Sequence, residues 1–283
     1  MSISKSFKQF TFIAILIFLL SYQVSAEYDN YPLGARAASL SNASVMYSDI
    51  WSVHHNQAGL AYLDGITIGV YNESYFHEQY GLKALAIAIP TNMGALGTVF
   101  SHFGYQNYYE QKIGLSYAKA LNNKVAIGVQ LDYLRLFIRD YGSDDRITFE
   151  TGVYAELLPN WYIGVHAYNP ARISLFSDGN TQINTIFRAG TGYNYKNKFY
   201  IAFETEKEID HDPVYKIGAS YTVYNNINIR IGYKIASQIE PTFHQNTYSF
   251  GLGFRFIGIH SNIAFTHHNQ LGYIAHISLN FTL

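Results

Sequence analysis

Thr247–Phe256 reads TYSFGLGFRF. Tyr248, Phe250, Leu252, Phe254 and Phe256 occupy every second position, and Thr247, Ser249, Gly251, Gly253 and Arg255 fill the places between them. A period of two belongs to an extended chain whose side chains point alternately to opposite faces, so this is a strand with one apolar and one polar face. The same alternation governs Lys124–Tyr133, where Val125, Ile127, Val129, Leu131 and Tyr133 oppose Lys124, Ala126, Gly128, Gln130 and Asp132. It returns in Ile227–Ile235 and in the last segment, Tyr273–Leu283.

Along the chain about fourteen such segments follow one another, each of roughly 10–12 residues, the length that crosses a bilayer at the tilt of a barrel. The alternation predicts strands over 65–75, 79–90, 94–104, 107–119, 123–136, 146–157, 161–169, 184–195, 198–208, 213–224, 226–236, 246–256, 258–267 and 271–283. Short turns are expected at Thr91-Asn92-Met93, Leu121-Asn122, Leu158-Pro159-Asn160, Lys196-Asn197, Asn225-Asn226 and Ile257. Longer polar links fall between them, at Glu73–Glu78, Tyr105-Gln106, Phe137–Asp145, Pro170–Ile183, Ile209–Asp212, Ser237–Gln245 and His268–Gln270. Short turns at one end and longer loops at the other are the pattern of a bacterial outer-membrane barrel. The predicted fold class is therefore all-β, a transmembrane antiparallel β-barrel of about fourteen strands. An even strand number then puts both termini on the periplasmic side of a Gram-negative outer membrane.

Composition agrees with that reading. Charged residues are 14% and aromatic residues 17% of the 283-residue chain, against about 25% charged in ordinary soluble chains. A net charge of −1 leaves no basic footprint for nucleic acid, and the lack of cysteine excludes a disulfide framework. Lys5 and Lys8 precede an apolar run, Phe10–Leu20, and Val24-Ser25-Ala26 fits a small-residue cleavage site. Residues 1–26 are thus expected to be a secretory signal peptide, with 27–64 ahead of a barrel spanning 65–283.

The cost of burying charge assigns the faces. A Lys or Arg facing lipid at the bilayer centre costs about 2–4 kcal/mol. Asp132, Glu150, Arg188, Glu204, Lys216, Arg230, Lys234 and Arg255 all sit on the polar faces, so they are expected to line the lumen. The glycines that share those faces, Gly128, Gly152, Gly190, Gly192, Gly218, Gly232, Gly251 and Gly253, would leave space beside the wall.

One stretch lacks the alternation. Gly34–Tyr62 reads GARAASLSNASVMYSDIWSVHHNQAGLAY and is rich in Ala, Ser and Gly. A barrel of about fourteen strands lies between small barrels filled by their own side chains and porins with an open channel. The stretch is therefore predicted to fold inward as a plug within 27–64. Arg188, Lys216, Arg230 and Arg255 of the wall are the expected partners of Asp49 and of the plug's carbonyls.

Gly34-Ala35-Arg36, Asp49, Trp51-Ser52 and His55-Asn56-Gln57-Ala58-Gly59-Leu60-Ala61 resemble the N-terminal signature of FadL-like outer-membrane proteins. Within them the PorV/PorQ type of Bacteroidota looks most similar. In that signature a G-A-R start leads through an acidic residue to N-P-A-G-L-A, which marks Gly34, Ala35, Arg36, Asp49, Trp51, Asn56, Ala58, Gly59 and Leu60 as the plug motif. Gln57 stands where the family has Pro, and Asn42 stands at its usual second Gly. The resemblance implies a hatch in the lumen. For the PorV/PorQ type it implies an accessory or docking barrel in type IX secretion or surface-protein handling, with secretion-system proteins or exported cargo as partners. For FadL-like channels it implies uptake of a hydrophobic ligand, with an apolar pocket beside residues 34–62 and a lateral opening in the wall. The docking barrel is the main expectation and the uptake channel its alternative; outer-membrane lipid is a partner in both.

Other chemistry has thin support. Glu204, Glu206, Glu208, Asp210 and Asp212 share one side at strand spacing, and the last four are the candidates for a hard cation. The run has no EF-hand loop, and Lys207 and His211 interrupt it, so it reads as a solvated lumen rim. His77, His102, His211, His244, His267 and His268 fall near expected outer loops without ligand spacing. His54 and His55 are expected to pack in the plug. No serine sits in a nucleophile elbow, so the chain is not expected to be an enzyme, and no cofactor is expected. Asn169-Pro170-Ala171-Arg172 opens the longest expected loop, whose Ile173, Leu175 and Phe176 stand at the outer rim or fold inward over the barrel mouth.

Overall fold

A computed structural model describes residues 27–28, 30–75, 81–175, 181–224, 226–236, 246–268 and 272–283. The expected signal peptide, His77, Phe176 and His244 lie outside these residues. In chain order the strands are β1 (Glu27–Tyr28), β2 (Thr67–Ser74), β3 (Gly81–Thr91), β4 (Gly94–Tyr105), β5 (Tyr108–Ala120), β6 (Val125–Ile138), β7 (Gly142–Leu158), β8 (Trp161–Tyr168), β9 (Ser174–Leu175), β10 (Thr181–Ile183), β11 (Ile186–Tyr195), β12 (Phe199–Glu208), β13 (Val214–Tyr224), β14 (Ile227–Ile235), β15 (Thr247–Phe256), β16 (Ile259–His268) and β17 (Gly272–Thr282). β2 to β8 and β11 to β17 pair antiparallel with their neighbours, β8 pairs with β11, and β17 returns to β2. The barrel is closed and has fourteen strands.

Each barrel strand matches one predicted span, because lipid on one side and a filled lumen on the other enforce the alternation. Val129 is 52% exposed and Ile231 61%, both on the outer face, while their neighbours Gln130 and Arg230 are buried inside. Burying that outer apolar surface in hydrocarbon is the main reason this chain belongs in a membrane.

Two expectations are corrected. Phe137–Asp145 is not a long loop: β6 runs on to Ile138 and β7 begins at Gly142, leaving a tight turn at 139–141. Arg135 and Asp145 lock this hairpin at 2.7 Å. The second correction concerns the chain ends. β1 pairs in parallel with β10, which lies between β8 and β11 at the long-loop end. The C-terminus is at the short-turn end, where Leu283 N–H donates to Ile66 C=O at 2.9 Å. Glu27–Tyr28 and the C-terminus therefore lie at opposite ends of the barrel rather than on one side. The chain enters the lumen at the long-loop end, descends through it as Asn30–Leu63, and only then starts the wall.

Candidate functional site

The luminal segment holds two short helical turns, Ala35–Ser39 and Ser52–His55, and a 3-10 helix, Gln57–Tyr62. It is too short and too rich in small residues to fold by itself, so local contacts and the wall supply its shape. Gly34 has φ 96°, and a Cβ there would lie 2.7 Å from the Trp51 ring, so both backbone and space demand glycine. Arg36 stacks its guanidinium 3.4 Å above the Tyr47 ring and pairs with Asp49 at 2.7 Å. Asp49 also accepts from Trp51 N–H at 2.9 Å. This corrects the expected pairing: Asp49 is held by Arg36 of its own segment, not by an arginine of the wall. Asn42 sits at φ 63°, a left-handed position that asparagine tolerates.

The wall receives this segment on inward-facing glycines. A Cβ on Gly164 would meet Val45 O at 2.1 Å, on Gly128 Ala58 N at 2.3 Å, on Gly232 Leu40 C at 2.4 Å, and on Gly152 Asn56 Oδ1 at 2.1 Å. Leu60 Cδ1 would lie 2.7 Å from a Cβ on Gly97. At Gly164, Gly128 and Gly232 backbone thus rests on backbone, while Gly152 and Gly97 make room for the Asn56 and Leu60 side chains. Gly192 differs from these, since its close neighbour is the Tyr200 hydroxyl of the wall.

Hydrogen bonds complete the seat. Ser44 N–H and Val45 N–H both donate to Glu204 Oε2, at 2.7 and 2.8 Å. Trp51 Nε1 donates to Asn280 Oδ1 at 3.1 Å, and Asn56 Nδ2 to Val153 O at 2.9 Å. Ser41 and Ser249 hydroxyls meet at 2.8 Å. Gln57 donates its amide to Glu150 Oε2 at 2.6 Å. Ala35, Ala58 and Leu60 are fully buried in this packing.

Two charged networks of the wall face the segment. Glu150 pairs with Lys112 and accepts from His166 Nε2 at 2.8 Å, while Asp132 lies 3.7 Å from Lys112. On the other side, Lys216 bridges Glu204 at 3.0 Å and Glu206 at 2.9 Å, and Arg188 reaches Glu206 at 2.5 Å. Arg230 is buried and donates to Asn262 Oδ1 at 2.9 Å. Lys234 is half-buried, and Arg255 is exposed at the short-turn mouth. Lys112 and His166 were not among the predicted lumen charges, though their parity on β5 and β8 marks them as inward.

The acidic run does not gather. Glu206 is engaged by Arg188 and Lys216, Glu208 lies 3.4 Å from His211, and Asp210 and Asp212 follow beyond the end of β12. Among the described residues no group of three or more His, Cys, Asp or Glu side chains is placed to hold a metal ion. His54 and His55 are buried in the segment, and burial holds both rings well down, His55 to about 3. Neutral at pH 7, His55 donates from Nε2 to Leu33 O at 2.7 Å.

Towards the long-loop end the inner wall changes character. Leu134, Leu136 and Ile138 follow Asp132 on the same face of β6, and Tyr108, Tyr168 and Ile186 join them from β5, β8 and β11. Leu82 and Phe103 continue the apolar lining on β3 and β4. Tyr28, Tyr31 and Leu33 of the incoming chain pack against this collar. Ile173 also folds inward onto it, held by Asn169, whose side chain accepts from Ile173 N–H at 2.9 Å and donates to Ile183 O at 2.8 Å. At the short-turn end a cavity of about 620 Å³ opens below the segment.

A closed barrel of fourteen strands with its N-terminal segment seated in the lumen defines a class, the fold of FadL-like outer-membrane barrels. Among solved structures the chain is similar to the CymD monoaromatic hydrocarbon channel, with TM-score 0.69 and 14% identity over 90% of this chain and 99% of that one. It is similar to the P. putida toluene transporter TodX (TM-score 0.67, 12% identity, 90% and 99% covered) and to a Pseudomonas aeruginosa FadL homologue (TM-score 0.62, 11% identity, 89% and 99% covered). At these identities the likeness is one of fold. No protein-family model matches the chain, and no curated protein does. The PorV/PorQ-type resemblance gains no support here.

Proposed function

We propose that the chain is an outer-membrane channel of FadL-like type that admits a hydrophobic small molecule, with its short turns towards the periplasm. The apolar inner collar carries this reading. Lipid contact explains apolar residues on the outer face of a barrel, not on the inner face of one whose mid-lumen is charged. Leu82, Phe103, Leu134 and Leu136 are covered at rest by Tyr28, Tyr31, Leu33 and Ile173. When that cover shifts they give an apolar molecule a favourable place at the outer mouth, where burying one large apolar side chain is worth about 1.5–3 kcal/mol. The names of the similar structures, a monoaromatic hydrocarbon channel and a toluene transporter, agree with that chemistry. The secretion-docking reading has no comparable observation behind it.

The uptake reading also carried the expectation of a lateral opening. Among the described residues the ladder is instead continuous between neighbouring barrel strands, with register shifts at Glu156/Leu158 and Thr222/Tyr224, near the short turns. Passage therefore requires the luminal segment to shift. In a bacterial host lacking its own hydrocarbon channels, the chain is expected to raise uptake of labelled toluene severalfold and to leave uptake of a small sugar unchanged. Leu136→Asp should abolish the gain while the barrel still assembles. Equal toluene uptake by this variant, or a matching rise for the sugar, would contradict the reading.

A further inference from the structure

The cavity at the short-turn end has a chemistry opposite to that of the collar. Arg36 reaches it from the luminal segment, Arg230 and Arg255 from β14 and β15, and Lys198 from the turn before β12. A smaller pocket of about 150 Å³ shares the three arginines and extends to Asp49 and Asn262. Asp49 is already committed to Arg36 and to Trp51 N–H. Arg230, only 7% exposed, meets a neutral amide oxygen on Asn262. Gly253 makes room for it: a Cβ there would lie 2.5 Å from one terminal nitrogen and 2.6 Å from the other. A guanidinium fixed this way, with a second one beside it at the mouth, is arranged to receive an oxyanion through paired N–H donors. Aromatic rings share the rest of the wall with small polar side chains such as Asn194, Ser220 and Asn228. Tyr47 and Tyr200 lie 4.5 Å apart, centroid to centroid, and both line the larger cavity.

From this combination we infer that the vestibule binds an organic acid, its carboxylate on Arg230 and Arg255 and its apolar or aromatic body against Tyr47 and Tyr200. A bare phosphate would use the arginines and leave the tyrosine floor unused. The volume suits a small organic molecule, since ligand cavities run from about 300 to 1,000 Å³. The inference stands apart from the uptake reading, because collar and vestibule lie on opposite sides of the luminal segment and binding is measured without transport.

The test is a calorimetric titration of the purified protein in a nonionic detergent with benzoate, benzyl alcohol and inorganic phosphate. Benzoate is expected to bind saturably, about tenfold or more tighter than either of the others, and to weaken as salt is raised. Arg255→Gln lies at an exposed position, so the barrel keeps its fold, and it should weaken benzoate by about tenfold. Absence of benzoate binding, equal affinity for benzyl alcohol, or an unchanged affinity in the Arg255 variant would overturn the site. Phosphate binding as tightly as benzoate would overturn its assignment to an organic acid.

Discussion

Gly164→Leu is expected to drive the luminal segment off its seat while the barrel stays standing. A Cβ at this position would lie 2.1 Å from Val45 O and 2.5 Å from Val45 C, and backbone atoms cannot rotate away as a side-chain tip can. Val45 is also where the seat is most densely tied: its N–H and that of Ser44 bond Glu204, and its carbonyl accepts from Asn56 at 2.7 Å. Displacing it takes both backbone N–H donors from Glu204 Oε2, leaving Lys216 on the other oxygen, and breaks the contact between the two halves of the segment. The ladder uses only the backbone of Gly164, through which β8 pairs with β7 and β11. The variant should therefore keep the heat-dependent gel mobility of an intact barrel. In planar bilayers it should show ion conductance that the parent lacks. A variant as silent as the parent, with unchanged proteolytic protection of residues 34–62, would show that the segment does not rest there.

Glu150→Ala should produce the largest loss of stability. Glu150 is fully buried, pairs with Lys112, and accepts from Gln57, His166 and Gln130. Its removal leaves the Lys112 ammonium with Asp132 at 3.7 Å and Asn30 at 3.2 Å, deep in the wall. Breaking a buried ion pair from one side costs about 3–5 kcal/mol. The same change unhooks Gln57, so hydrogen exchange at residues 57–60 should accelerate. Arg135→Ala makes the comparison, since it deletes a two-point ion pair with Asp145 on the half-exposed hairpin, where such pairs contribute about 0–1 kcal/mol. Urea unfolding in detergent that gave the two variants equal losses would contradict the account of the buried network.

The wall was legible because lipid imposes a rule on every second residue. Thr247–Phe256 could be read as a strand, and its inward face identified, without any knowledge of its neighbours. The rule lapses where both faces meet water. At Phe137–Asp145 the alternation breaks up among polar residues, and the strands run on through it regardless. The position of Glu27–Tyr28 was also beyond sequence reading, because it depends on a short parallel pairing with β10 across the mouth. Inside the lumen, composition revealed the small residues of the segment and of the wall. It did not show that they face each other at backbone contact. Asp49 pairs with Arg36 rather than with the expected Arg188, Lys216, Arg230 or Arg255, because the turn that brings Arg36 to it has no periodic signature. Leu134 and Leu136, on the same face as Asp132, were available as a sign of the collar.

The central claim is that Gly34–Tyr62 is seated on the inner wall and must leave that seat for anything to pass. The chain has no cysteine, and the Ser41 and Ser249 hydroxyls lie 2.8 Å apart, so a cysteine pair there needs only a small shift to reach the bond length of about 2.05 Å. In native membranes, Ser41→Cys with Ser249→Cys is predicted to form a disulfide on mild oxidation. Toluene uptake should stop when it forms and return when it is reduced. Failure of the pair to link, or uptake that continues at full rate in the linked protein, would contradict the account.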